Sequence, residues 1–366
     1  MRCSRRTALR LTSSANGIAM KDRMVLMQKI VHGNMSKFQP PHFKPHPVFR
    51  GGHLQTIVSV KSPITSRLAP QKHVVRVSEG DSVVLHDDQP ADWRQGDASI
   101  LLLHGLSGCY RAPYMIRLAE KFVQRGVRVF RMDMRGCGAA ARLTTNLTHA
   151  GRSDDVVVGL DTIASLCSEG PLGAIGVSLG AGQLLRAVGR IGKGISPDPT
   201  WLPRLTRVAA VAPPLDLLRC SDNMQRLLLR PYNYYFIRAL IARAPVGVRE
   251  RPDFQQRLAG PRPKTLRELD DRITAPLSGF EDAADYYSQC SASSVTRFNQ
   301  IPTLVLTAED DPIVPVGCFL DDPSIWSDNT SLVVTRTGGH VGFVDREKRC
   351  WMDDALVAWF QSHGRA

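Results

Sequence analysis

Residues 173–182 read GAIGVSLGAG, and the reading of this stretch decides the fold. It contains Gly176-Val177-Ser178-Leu179-Gly180, a G-x-S-x-G match set between an apolar run and a helical pattern. In that setting a strand ends, turns sharply and opens a helix, with the serine at the apex of the turn. The strained turn lifts the hydroxyl clear of the sheet. The flanking glycines are required because a Cβ there would collide with the neighbouring strand and helix. Five residues make a short pattern, so the surrounding chain has to supply the rest.

Outward from the elbow, strands and helices alternate. Residues 100–103 are a continuous apolar run, as in a strand buried on both faces. A helix is expected over 113–124, with Met115, Leu118, Ala119 and Phe122 at helical spacing. Strands follow at 127–132, 172–177 and 208–212, with helices at 156–166 and 182–188 between them. Ser153-Asp154-Asp155 supplies N-terminal residues for the first of these helices. Before this region, 73–77 and 82–86 flank Glu79-Gly80-Asp81 as an antiparallel hairpin. Four prolines make 38–56 an extended wrapping segment. The strand rhythm stops between 215 and 299, where 224–229 and 234–244 are apolar at helical periods. It resumes at 303–307 and 331–335, and a last helix covers 350–361. The order predicts an α/β fold with a mainly parallel central sheet and helices on both faces. The segment 215–299 becomes a helical cap or lid inserted before the last two strands. Ligands in such sheets sit beyond the carboxyl ends of the strands, where Ser178 lies.

Three further strand ends carry chemistry. Ala308-Glu309-Asp310-Asp311-Pro312-Ile313-Val314-Pro315 follows the strand at 303–307. A carboxylate there can orient a histidine and stabilise its imidazolium. Asp310 and Asp311 compete for that part. Asp311 is favoured because an x-x-x-Pro turn follows it. His340, in Gly338-Gly339-His340-Val341-Gly342-Phe343, follows the next strand. The order Ser178, Asp311, His340 is one of three known chain orders for a serine triad, and belongs to α/β-hydrolases. Leu103-His104-Gly105-Leu106-Ser107-Gly108 ends the strand at 100–103. Its glycines let backbone N–H groups face a developing oxyanion, which makes the Leu106 and Leu179 amides the natural donor pair. His104, placed before that loop, is expected to hold it by hydrogen bonds.

With these residues in view, the chain resembles the YheT-like α/β-hydrolases, relatives of the α/β-hydrolase-domain lipases and esterases. The resemblance covers residues 43 to 366 and rests on Gly52-His53-Leu54-Gln55-Thr56, His104-Gly105-Leu106-Ser107-Gly108, Arg135-Gly136-Cys137 and the elbow. Asp270-Asp271, Gly279-Phe280-Glu281-Asp282-Ala283 and the His340 loop add to it. It implies a serine hydrolase that cleaves carboxylic esters through Ser178, Asp311 and His340 and an acyl-enzyme. The substrate would be a small-molecule ester or an acyl lipid. Gly138-Ala139-Ala140-Ala141 departs from the family's Ser-Gly-rich turn. A catalytically silent scaffold acting as a binding protein is the alternative.

Composition bounds the remainder. The chain has 366 residues, 43% hydrophobic and 22% charged, as in a folded globular protein. Of its net charge of +13, nine units come from residues 1–50, where ten Lys/Arg face only Asp22. Residues 1–40 therefore read as a flexible basic arm on a hydrolase domain over 41–366. The arm could touch an acidic membrane. The rest is only mildly basic, so no nucleic-acid partner is expected. Eight scattered cysteines without a C-x-x-C pair suggest reduced thiols and a cytoplasmic setting. No cofactor is implied: Gly136–Ala141 mimics a dinucleotide loop, but polar residues 144–148 stand where that fold needs a helix. No metal is implied either, since no His/Cys spacing suits one.

Overall fold

The computed structural model describes residues 28–30, 38–61 and 66–362. Most of the basic arm, residues 1–27 and 31–37, lies outside the described residues. One nine-stranded sheet organises the rest. Its strands are β1 (Gln28–Ile30), β2 (Gln71–Ser78), β3 (Asp81–Asp88), β4 (Ser99–Leu103), β5 (Arg128–Asp133), β6 (Leu172–Val177), β7 (Leu205–Val211), β8 (Thr303–Ala308) and β9 (Thr330–Thr335). The order is β1-β9-β8-β7-β6-β4-β5-β3-β2. Pairs from β5 through β4, β6, β7 and β8 to β9 are all parallel, whereas β1, β2 and β3 pair antiparallel at the edges. The mainly parallel sheet and the hairpin are as expected.

Continuous apolar strands follow from burial on both faces. In β4, Ile100 and Leu102 enter the core under helices α2 (Pro113–Val123) and α9 (Trp351–Gln361). Leu101 and Leu103 enter the opposite core, under α3 (Ser153–Leu166) and α4 (Leu179–Gly192). β6 divides in the same way, Ile175 and Val177 to one face, Leu172 and Ala174 to the other. The sheet is thus fixed between two layers, and its central strand ends at Ser178.

Between β7 and β8 the chain is helical: α5 (Leu217–Met224), α6 (Arg230–Ala242), α7 (Pro252–Leu258) and α8 (Ala283–Cys290), with shorter turns between them. The helix expected at 224–229 is a correction. α5 ends at Met224 and only a short 3₁₀ turn spans Leu227–Leu229. Asp216 caps the true helix by accepting the Arg219 amide at 3.0 Å. Leu227 and Leu228, which created the apolar period, are 69% and 77% exposed. The extended segment expected over 38–56 also ends early, because Gly52–Lys61 forms helix α1 beyond the last proline. The helix after the elbow starts at Leu179 rather than at 182. Among the described residues no helix is long and apolar enough to cross a membrane.

Candidate active site

The elbow adopts the strained turn its glycines allow. Ser178 has φ 54° and ψ −119°, a region that disfavours side chains. A Cβ on Gly176 would lie 2.5 Å from Ala181 Cα, and one on Gly180 2.6 Å from the His104 carbonyl oxygen. Neither contact can be relieved by a side-chain rotation. Both glycines are therefore dictated by close approach of backbone to backbone.

The structure brings together the three side chains that the chain order nominated. Ser178 Oγ lies 2.8 Å from His340 Nε2, and His340 Nδ1 lies 2.8 Å from Asp311 Oδ2. Asp311 and His340 are both buried. The other Asp311 oxygen accepts the amides of Ile313 at 2.8 Å and Val314 at 3.0 Å. With Oδ1 held by two backbone donors, only Oδ2 is turned to the imidazole. Proximity of that carboxylate favours the tautomer with the proton on Nδ1, which leaves the Nε2 lone pair facing the serine.

The adjacent acid has a different occupation. Asp310 Oδ1 accepts the Gly339 amide at 2.8 Å, and its Oδ2 is buried without a partner. Burial raises its carboxyl above the ordinary range. Asp310 thus ties down the histidine loop while Asp311 meets the ring.

On the other side of Ser178, the loop after β4 is held from beneath. His104 Nδ1–H donates to the Gly105 carbonyl at 2.8 Å, and its Nε2 accepts the Met134 amide at 3.2 Å. Burial lowers its basicity, so the ring is neutral and can do both. Tyr114, whose phenol burial pushes up to about 12, accepts the Gly105 amide at 2.8 Å. Ser107 takes a positive φ of 56° as the loop turns. Among the described residues the Leu106 amide has no acceptor, and the Leu179 amide is an orphan of the first turn of α4. Two free donors therefore flank the serine. Leu106, Leu217 and Phe280 pack against the apolar cluster that contains Leu179, the residue after the serine.

Two supports carry no chemistry-bearing pattern in the sequence. Thr56 Oγ1 accepts the His340 amide at 2.8 Å and donates to the Gly52 carbonyl at 2.7 Å. Gln55 brackets Val344, donating to its carbonyl at 3.2 Å and accepting its amide at 2.6 Å. Gly339, at φ 58°, leaves no room for a side chain, since its Cβ would come 2.3 Å from the Gly52 carbonyl oxygen. The stretch Gly52–Thr56 is therefore the cradle of the histidine loop. The signal available was the motif Gly52-His53-Leu54-Gln55-Thr56, which marked the stretch without saying what it holds.

The second support is α6, which crosses from one side of the site to the other. Near its start Tyr232 contacts His53, with hydroxyl and Nδ1 3.1 Å apart. Just beyond its end Arg243 Nη1 donates to the Ser107 carbonyl of the β4 loop. One helix of the insertion is thus tied to the histidine side and to the serine-facing loop together.

With this geometry in view, the comparisons with known proteins agree on the architecture. The sequence model of the Alpha/beta hydrolase family matches residues 100–351. YheT of Escherichia coli (strain K12) is 27% identical over 326 residues, which is 88% of this chain and 93% of that protein. Phospholipase ABHD3 of Mus musculus is 27% identical over 307 residues, 80% of this chain and 70% of that one. The solved structure of the Pyrococcus furiosus esterase PF2001 aligns with a TM-score of 0.54 at 15% identity, covering 87% of this chain and 98% of that chain.

Proposed function

We propose, from the premise that this chain belongs to the Alpha/beta hydrolase family and is a carboxylic ester hydrolase, that it works through Ser178, His340 and Asp311 by way of an acyl-enzyme. The observation that carries this reading is the unbroken hydrogen-bonded run from Ser178 Oγ through both ring nitrogens of His340 to Asp311, at 2.8 Å for each link.

The steps follow from the atoms present. Ser178 Oγ attacks the ester carbonyl carbon while His340 Nε2 takes its proton. Asp311 Oδ2 stabilises the imidazolium and keeps the ring oriented. The carbonyl oxygen becomes an oxyanion, and the free Leu106 and Leu179 amides are its donors. Such preorganised donors are worth about 3 kcal/mol each when lost. The C–O bond to the alcohol then breaks, and His340 returns the proton to the departing alkoxide. Water, deprotonated by the same Nε2, attacks the acyl-serine. Collapse releases the carboxylic acid and restores Ser178.

The acyl group is proposed to be apolar. Leu106, Leu217 and Phe280 lie against the apolar cluster of Leu179, next to the nucleophile in the chain, and a relative bears the name of a phospholipase. Rates across p-nitrophenyl esters of increasing chain length measure this, and a preference for acetate over octanoate would reject it. Labelling with a fluorophosphonate probe tests the mechanism itself. Wild type should label and Ser178→Ala should not. Equal labelling of both would remove Ser178 from the mechanism, and no turnover of any ester would leave a binding scaffold.

A further inference from the structure

Helix α4 is buried along its length except at Arg186, Arg190 and its last residue, Gly192. The two arginines are four residues apart and so share one face. That face is continuous with Leu179 and Gln183, whose amide donates to the His149 carbonyl at 2.8 Å. Arg152, at the start of α3, joins them. The thiol of Cys290, which ends α8, lies in the field of Arg186, Arg152 and Arg190 together. The His149 ring likewise feels Arg152, Arg135 and Arg186. Arginines from two helices thus stand around Cys290, whose Sγ lies so near the backbone before Arg152 that a Cβ on Gly151 would come within 2.5 Å of it.

These charges are uncompensated. Among the described residues no carboxylate lies within ion-pair distance of Arg152, Arg186 or Arg190. Asp154 acts on Arg186 only from a distance. Asp81 and Asp155 act on Arg152, but both are already held by Arg135, at 2.5 and 2.6 Å. The Nε atoms of all three arginines are buried without a hydrogen bond, as is the hydroxyl of Ser153, a residue 1% exposed. Burial, together with the neighbouring cation in each case, disfavours the charged form of Arg186 and Arg152. A buried donor left unmade is costly, and a charged one more so. An anion would relieve both the repulsion and the unmade bonds.

We propose that Arg152, Arg186 and Arg190 form a binding site for a phosphate group, separate from the catalytic centre. Three forked guanidiniums match a phosphate, whose several oxygens can each accept, better than a carboxylate, which one fork saturates. Eight and twelve residues along α4 from Ser178 correspond to about 12 and 18 Å. Arg186 leans back towards the start of the helix and can approach that end, but Arg190 cannot, so a phosphate held by both lies away from an ester under attack at Ser178. The ligand is therefore a second molecule, either a soluble phosphate compound or an anionic lipid headgroup.

The test uses the full chain with inorganic pyrophosphate, titrated against sodium chloride at matched ionic strength and followed by thermal unfolding. Wild type should show a saturable rise in Tm that chloride does not give. The Arg186→Gln/Arg190→Gln variant should bind at least tenfold more weakly while keeping basal ester hydrolysis. A control with exposed Arg249 and Arg262 both changed to Gln should behave as wild type. Sedimentation with phosphatidic acid vesicles, against phosphatidylcholine vesicles, distinguishes the sources. Capture that the double variant loses assigns a lipid headgroup, and a pyrophosphate response without capture assigns a soluble ligand. No pyrophosphate response beyond chloride together with no specific capture, or equal losses in the double variant and the control, overturns the proposal. Should the double variant not fold, Arg190→Gln alone must weaken binding at least threefold, and unchanged binding there refutes the site.

Discussion

Exchanging Asp311 for asparagine, beside the same exchange at Asp310, separates two adjacent acids by what each touches. In Asp311→Asn the two amides of Ile313 and Val314 demand an acceptor and so fix the new carbonyl oxygen at the Oδ1 position. The NH₂ group must then take the place of Oδ2, 2.8 Å from His340 Nδ1. A donor there forces the ring proton onto Nε2, the atom that must receive the serine proton. The base is present but in the wrong tautomer. Comparable exchanges in the chymotrypsin-type triad, a worked example of this effect, lower kcat by about 10⁴. That corresponds to about 5.4 kcal/mol of transition-state stabilisation. Asp310→Asn should do almost nothing to kcat, because its carbonyl oxygen can keep the Gly339 amide and its buried Oδ2 has no partner to lose. The assay is kcat on a p-nitrophenyl ester, with the circular dichroism melting curve taken for both variants. A loss of less than tenfold in Asp311→Asn would refute the tautomer argument. So would an equal loss in a well-folded Asp310→Asn.

Three other outcomes follow from contacts described above. Thr56→Val removes the acceptor of the His340 amide, leaving that buried group unmade; stability should fall by about 1–3 kcal/mol in urea unfolding. The rate kcat should fall at least tenfold with it, since the histidine loop loses its cradle. Ser178→Gly should abolish ester hydrolysis yet raise stability by about 1 kcal/mol in the same unfolding assay, because glycine relieves the positive φ. Burial, with Arg152, Arg135 and Arg186 adding to it, pushes the imidazole of His149 down to about 3. The unfolded chain then binds a proton that the folded chain refuses, so stability is lost as pH falls below about 6.5. His149→Gln should lose about 2 kcal/mol less than wild type between pH 7 and pH 5 in urea unfolding.

The sheet was legible because its central strands are buried on both faces. Ile100–Leu103 and Leu172–Val177 leave no polar alternation to confuse, and the observed strands agree to within a few residues. The grouping of Ser178, Asp311 and His340 was legible for a different reason: each follows a strand, and their order in the chain is itself informative. Periodicity failed at Leu227 and Leu228, since apolar spacing says nothing about which side of a turn faces solvent. It also failed at α1, where prolines at positions 40–47 hid the helix that starts only at Gly52. The cradle itself could not be inferred. Thr56 meets His340 across 284 residues of chain, and no local pattern encodes so distant a hydrogen bond. The same holds for Arg243 and Ser107, which join only because α6 crosses the site.

The cradle has a consequence for how the protein comes into being. As the chain leaves the ribosome, helix α1 and the elbow emerge long before the loop that carries His340. By then β2 to β7 have all emerged, with Ser178 directly after β6. On the mechanism proposed above, Ser178 has no base until β9 has been added and the Gly338–Phe343 loop has docked on Gly52–Thr56. On that mechanism hydrolysis waits for the His340 loop, because Gly52–Thr56 and Gly338–Phe343 must first meet across the fold.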